Sequence, residues 1–367
     1  MADDAVDDSG ILPPRANPDL VGHEAAEAAL LRLVAAGTLP HALLVTGPRG
    51  IGKSTLCFRL ARYLLARAGG EEGGLFAGTA PPTSLHVPPE DPVFRRVASG
   101  GHADLLTVER GYDPRRKRLR GEIVIEDTRA VAGFARLTPA EQGWRIVVID
   151  SADEMNRNAA NALLKILEEP PRRSLLLLVS HNPGSLLPTI RSRCRRLVLQ
   201  PLSEETVLRL LAIRRPDLGP PDAAALARLA AGSIGRALAL AESGGLELYR
   251  AMAELLGSLP RLDAAALHAF ADRVARPEVE AAYRVVVELL PDWVARMTAT
   301  SAGAPDAGEA LPGERAAMRR LSAGRGLDRW VEVWERINRL FAQTDSVNLD
   351  RKQVVLNAFF MLAEAAR

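Results

Sequence analysis

Cysteine is nearly absent from this chain: two residues in 367, Cys57 and Cys194. Two thiols build neither a disulfide framework nor a four-cysteine zinc site, and a reducing cytoplasm suits them. Lysine is almost as scarce. Of 47 basic residues only Lys53, Lys117, Lys165 and Lys352 are lysine; the rest are arginine. Against that bias, a lysine marks a place where a compact point charge fits better than a planar guanidinium. No apolar run reaches the ~20 residues that cross a bilayer. The first residues, MADDAVDDSG, are acidic and polar, which excludes a secretory signal and reads as a frayed tail over 1–14. A net charge of +2 excludes a global basic field for nucleic acid. What is present, 47% apolar and 25% charged residues, is the composition of a soluble globular protein with room for two or three domains.

Periodicity divides the chain. Residues 15–200 alternate short apolar runs with amphipathic stretches. A lead-in helix (HEAAEAALLRLVAAG) precedes a strand at 41–47 and a helix at 54–68. Further strands are expected at 104–110, 122–127, WRIVVID, SLLLLVS and RRLVLQ, with helices at TRAVAGFARLTP and NRNAANALLKILEEPP. Strands alternating with helices imply a parallel sheet covered on both faces. Glycine- and proline-rich segments at 69–91 and 300–314 read as loops. Beyond PLSEE (201–205) no strand is expected. About three short helices fill 203–243 and longer ones the remainder. The expectation is an α/β nucleotide-binding domain (15–200), a small helical lid (201–245) and an all-α domain (246–367).

GPRGIGKS matches G-x-x-x-x-G-K-[ST] through Gly47, Gly52, Lys53 and Ser54, between a strand and a helix. Backbone N–H groups of such a loop turn inward around phosphates, and side chains at the glycines would block them. Pro48, Gly50 and Thr55 belong to the same turn. Lys53 is placed to reach the terminal phosphates of ATP, and Ser54 to bind Mg²⁺; the helix start adds its own attraction for anions. Asp150 ends a buried strand, as a second Mg²⁺-holding residue does; capping the next turn is the other reading. Ser151 follows it and cannot act as a general base. Asp153 and Glu154 are assigned to capping the helix at 156–168, with Glu154 as an alternative base. Ser180 or Asn182, after the SLLLLVS strand, is placed to sense a γ-phosphate, and turn formation accounts for them equally.

HALLVTGPRGIGKST, NALLKILEEPP and RSRC occur in this order. Over residues 15 to about 240 the chain thereby resembles bacterial clamp-loader subunits of DNA polymerase III, members of the AAA+ family, and within them the delta-prime type. The resemblance implies an AAA+ P-loop domain, a helical lid and a C-terminal helical collar in a hetero-pentamer with gamma/tau motor and delta subunits. That assembly would place the sliding clamp on primer-template DNA, in the cytoplasm at the nucleoid-associated replisome, with no membrane. It implies that Arg193, within Ser192-Arg193-Cys194, is an arginine finger acting in trans on a neighbour's ATP. Motor subunits carry Asp-Glu where this chain has Asp150-Ser151. They also carry a sensor arginine where GSIGRAL places Gly235, with Arg236 one residue later. Both departures imply a subunit whose own ATPase is weak or absent. A motor subunit using Glu154, or another self-assembling AAA+ ATPase, are the alternatives. Some relatives carry a four-cysteine zinc module after the P-loop; residues 66–120 hold no cysteine, and His86 and His102 are too few ligands, so no zinc is expected. RRKRLR (115–120) reads as a solvated loop or as a DNA-facing one.

Overall fold

The computed structural model describes residues 12–67, 83–113, 118–141, 143–276, 280–304, 308–323, 326–347 and 349–367. The expected tail at 1–14, the loops at 69–91 and 300–314 and the basic stretch 115–120 lie partly outside them. The chain divides into two compact units, at Thr206 and Val207.

The first unit begins with α1 (Glu24–Ala35), β1 (Ala42–Thr46) and α2 (Lys53–Ala66). Next come α3 (Pro92–Ala98), β2 (Leu105–Val108), the hairpin β3 (Tyr112–Asp113) and β4 (Arg118–Leu119), and α4 (Ile125–Arg136). It continues with β5 (Arg145–Ile149), α5 (Arg157–Glu168), β6 (Ser174–Ser180), α6 (Pro188–Arg191) and β7 (Arg195–Val198). The five longer strands form a parallel sheet in the order β2-β5-β6-β1-β7. With a glycine-rich, phosphate-type loop between β1 and α2, this is an α/β domain of the P-loop kind. Period-two alternation sorts side chains between its faces. Leu43, Val45, Ile146, Val148, Leu175 and Leu177 pack with α2 residues such as Leu56 and Leu60. Leu44, Val147, Ile149, Leu176 and Leu178 pack with Val131 of α4 and Leu163 and Ile166 of α5. Burial on both faces explains why β5 and β6 read as unbroken apolar runs.

Two local expectations are corrected. EIVIED (122–127) is not a strand. The Asp127 carboxylate accepts the Val124 N–H at 2.9 Å and starts α4 there, leaving only Ile123 in an isolated bridge to Met155. The β-branched run misled; the cap decided. The helix α3 was not expected, although Asp91 accepts the Val93 N–H at 2.7 Å and Pro92 occupies the first turn.

The second unit is helical throughout its described residues: α7 (Glu204–Arg214), α8 (Pro220–Leu229), α9 (Ile234–Glu242), α10 (Gly245–Ser258) and α11 (Ala264–Val274), then α12 (Glu280–Ser301), α13 (Glu314–Ser322), α14 (Leu327–Val347) and α15 (Arg351–Ala365). The boundary falls in the first turn of α7. Tyr249, Trp293, Trp330 and Phe359 are fully buried in it, and Phe270 meets Phe359 edge-on at 5.9 Å. The helices expected to form lid and collar lie together in this unit. Among the described residues no helix is long and apolar enough to cross a membrane.

Candidate functional site

β1 delivers the chain into the glycine-rich loop at a buried Thr46. Gly47, Gly50 and Gly52 take φ of 147°, 74° and 105°, all in the region that favours glycine. Gly47 is also confined: a side-chain carbon there would lie 2.5 Å from the Leu199 carbonyl oxygen and 2.9 Å from Ile51 Cδ1. Gly52 caps α2 without a side chain, so the first N–H groups of that helix stay open. His23 Nε2 sits 2.5 Å from the Ile51 carbonyl oxygen and braces the loop from below. Lys53 opens α2 with its side chain buried, donating to the Pro48 carbonyl at 2.5 Å. Burial pushes its pKa down to about 8, against the pull of Asp150 and Asp153. The Ser54 hydroxyl donates to Asp150 Oδ1 at 2.8 Å, so a hydroxyl and a carboxylate 96 positions apart form one oxygen donor pair. Thr55 is buried beside them. At the end of β6 the Ser180 hydroxyl is fully buried without a partner, an orphan that a ligand's oxygens would satisfy. The uncapped N–H groups at the start of α2, a retracted lysine and the Ser54–Asp150 oxygens fit a nucleotide phosphate chain with its hard divalent cation.

The position after Asp150 carries a hydroxyl rather than a carboxylate. Ser151 is left-handed at φ 59°, and its Oγ lies 3.1 Å from His181 Nε2. Burial, reinforced by Lys53, holds His181 below its ordinary pKa, so the ring is neutral at pH 7. His181 Nδ1 is a second buried atom without a partner. Sequence reasoning passed over this histidine for its neighbours in SHNP. Its importance comes from the pairing of β5 with β6, which brings residues 151 and 181 together.

The capping role of the acidic pair is corrected. Asn156 caps α5, accepting the Ala159 N–H at 3.0 Å. Asp153 instead accepts the backbone N–H groups of His181 at 2.8 Å and Asn182 at 3.1 Å. Burial works to raise its pKa, and those donors outweigh it. Glu154 is held by Arg110 at 2.9 Å and by Arg49 at 3.7 Å. Asn182 is in a turn, its carbonyl accepting the Ser185 N–H at 3.1 Å.

The arginines of TIRSRCRRLVL separate by role. β7 is an edge strand of the sheet. Arg193 stands between α6 and β7, one-third exposed. Its Nη1 donates to the Thr189 carbonyl at 2.9 Å, and its Nη2 pairs with Glu168 at 2.9 Å. Arg196 turns back, its Nε donating to Thr46 Oγ1 at 3.2 Å. Arg191 and Arg195 are exposed. Cys194 is half-buried, which pushes its thiol up to about 11. Within the second unit, Ser233 caps α9 and Arg236 pairs with Glu288 at 2.7 Å and with Asp292, both on α12. Those carboxylates already neutralise it. Among the described residues no cluster of three or more His, Cys, Asp or Glu is placed to hold a metal ion. His86 lies by Arg59, and His102 is buried, accepting the Asp104 N–H at 3.1 Å. Of the basic stretch, Arg120 pairs with Asp127 at 3.6 Å.

Residues 22–203 match the family described as "DNA polymerase III, delta subunit". The DNA polymerase III subunit delta' of Pseudomonas aeruginosa is 37% identical over 154 residues, 42% of this chain and 41% of that one. The subunit delta' of Escherichia coli is 32% identical over 231 residues, 62% of this chain and 63% of that one. The Escherichia coli subunit tau is 30% identical over 255 residues, 67% of this chain and 36% of that one. The chain thus spans less than two thirds of each of these relatives.

Proposed function

We propose that this chain, whose residues 22–203 match the DNA polymerase III delta-subunit family model, is the delta-prime-type subunit of a clamp loader: it binds Mg·ATP without efficient turnover and lends Arg193 to the ATP of a neighbouring subunit. The carrying observation is the contrast inside one site. The phosphate loop, Lys53 and the Ser54–Asp150 pair are intact, while the position of a catalytic carboxylate holds Ser151 hydrogen-bonded to His181. Lys53 and the open amides of α2 bind phosphate oxygens, Ser54 and Asp150 orient the cation, and Ser180, with Asn182 at the neighbouring turn, faces the terminal phosphate. Glu154, the candidate base of a motor subunit, is neutralised by two arginines. Arg236, near the place of a second sensor, is bound by carboxylates.

Residues 201–245 then serve as lid and 246–367 as collar, in a hetero-pentamer with gamma/tau motor and delta subunits. That assembly loads the sliding clamp on primed DNA within the replisome. Arg193 suits the trans role because it sits beside an edge strand. An arginine on the γ-phosphate of related NTPases is worth ~10³–10⁵-fold.

The test is twofold. The isolated chain binds a fluorescent ATP analogue with Mg²⁺ and turns over little ATP. In the reconstituted loader, Arg193→Ala lowers clamp- and DNA-stimulated ATPase partially, Arg193→Lys does not rescue it, and Arg191→Ala and Arg195→Ala stay near wild type. A brisk rate from the isolated chain, abolished by Glu154→Gln, establishes the motor reading instead.

A further inference from the structure

The last turn of α5 is unusual. It ends in Glu168, with Glu169 as its cap, before Pro170. Acidic groups at a helix C-terminus face the negative end of the macrodipole and are unfavourable there. A residue that breaks a local rule without a local reward is a place to look for a role. Glu168 has one: its Oε1 lies 2.9 Å from Arg193 Nη2, and the pair joins the last turn of α5 to the turn between α6 and β7.

Three acceptors converge on that guanidinium. Nη1 donates to the Thr189 carbonyl at 2.9 Å and, longer, to Ser192 Oγ at 3.4 Å, and Nη2 pairs with Glu168. A guanidinium carries five N–H donors in a rigid plane. Thr189 and Ser192 take the Nη1 hydrogens and Glu168 stands by Nη2 as an ion pair, so the donors on the Nε–Nη2 edge make no hydrogen bond among the described residues. Two donors in one plane are what a bidentate contact to phosphate oxygens uses. The pair is half-exposed, so its value to stability is small.

We infer that Glu168 is a positioning residue for Arg193: with Thr189 it fixes the plane and direction of the guanidinium, so that its free donors meet a neighbour's phosphate already oriented. This rests on the finger reading of Arg193. An unbuttressed arginine must be ordered at each encounter. Immobilising one long side chain costs enough to lower the rate about three- to tenfold. Glu168 never touches the phosphate; it acts only through Arg193.

The experiment measures steady-state ATPase of the whole reconstituted loader, with clamp and primed DNA. Its variants are Glu168→Ala, Glu168→Gln, Arg193→Ala and the Glu168→Ala/Arg193→Ala double. The expected result is a three- to tenfold fall in kcat for Glu168→Ala with KM for ATP unchanged. Glu168→Gln keeps an acceptor oxygen and falls less. The double variant is no slower than Arg193→Ala alone, the non-additivity of residues acting as one. A role for Glu168 in folding alone predicts additivity instead. Wild-type rates in both Glu168 variants beside a slow Arg193→Ala overturn the inference and leave the finger standing. A double variant slower by the full product of the single losses also overturns it. A wild-type rate for Arg193→Ala removes the finger and the inference together.

Discussion

Gly47→Ala and Gly52→Ala alter the two outer glycines of one motif, and the structure ranks them. At Gly47 φ is 147°, and the added carbon would lie 2.5 Å from the Leu199 carbonyl oxygen. Real side chains essentially never approach backbone so closely, so either the loop or the segment after β7 must move. That segment is not free: the Leu199 N–H donates to the Thr46 carbonyl at 2.8 Å, extending the pairing of β7 with β1. Backbone strain of ~1–3 kcal/mol adds to overpacking of ~1–3 kcal/mol. The sum is ~2–6 kcal/mol. At Gly52 φ is 105°, but the nearest atom is His23 Cδ2 at 3.5 Å, an ordinary contact. Only the strain remains, ~1–3 kcal/mol. At ~2–4 °C per kcal/mol for a domain of this size, Gly47→Ala lowers the melting temperature of the first unit by ~4–24 °C and Gly52→Ala by ~2–12 °C. Urea titration followed by hydrogen exchange of amides in β1 and β6 reads this unit apart from the helical one. Both variants lose nucleotide, because both glycines shape the loop. Equal losses of stability, or a neutral Gly47→Ala, would refute the account of Gly47 as confined by Leu199.

Lys53→Met removes a buried charge and, on the proposed reading, a phosphate ligand. Lys53 titrates near 8 in the folded chain and at 10.5 without burial. Between those values the unfolded chain carries more protons, so wild-type stability without nucleotide rises with pH through the window and falls again as pH drops through 8. Lys53→Met lacks that rise and is no longer stabilised by Mg·ATP; parallel pH profiles for the two proteins sink this reading. Glu27→Gln tests the buried knot in which Glu27 accepts from Arg59 at 2.9 Å, Ser84 at 3.0 Å and the Leu85 N–H at 2.6 Å. Burial tends to raise the Glu27 pKa, and these donors bring it below the ordinary value. Its stabilisation is therefore full above pH 4.5 and lost as pH falls through the lower, folded value. Arg59 keeps other acceptors, so the loss at pH 7 is ~2–4 kcal/mol rather than the upper end for a broken buried pair. Unchanged urea midpoints at pH 7 would show the knot to be dispensable.

The sequence displayed what is periodic or contiguous. Unbroken apolar runs announced β1, β5 and β6 because both faces of that sheet are covered, and the phosphate loop announced itself by spacing. The three short helices over 204–242 were legible from apolar period and stops. Propensity failed at Ile123–Ile125, where one carboxylate at Asp127 outweighed three β-branched residues. Pairings between distant segments were not legible. Nothing local joins Ser151 to His181, or Glu168 to Arg193; strand order and helix ends bring them together. The acidic pair at 153–154 was legible as acidic, but its partners lie in the turn after β6 and on Arg49 and Arg110.

The confinement of Gly47 has a consequence for how such motifs are read. Its missing side chain makes room for the carbonyl of Leu199, which continues the strand that follows Arg193. Arg196 fastens to Thr46 from the same side. The first glycine of the phosphate loop is thus also a joint of the sheet's outer seam. A descendant that had ceased to hold nucleotide would still need that joint to keep its outward arginine in place. Its loop would go on spelling an ATPase long after the enzyme had become a bracket.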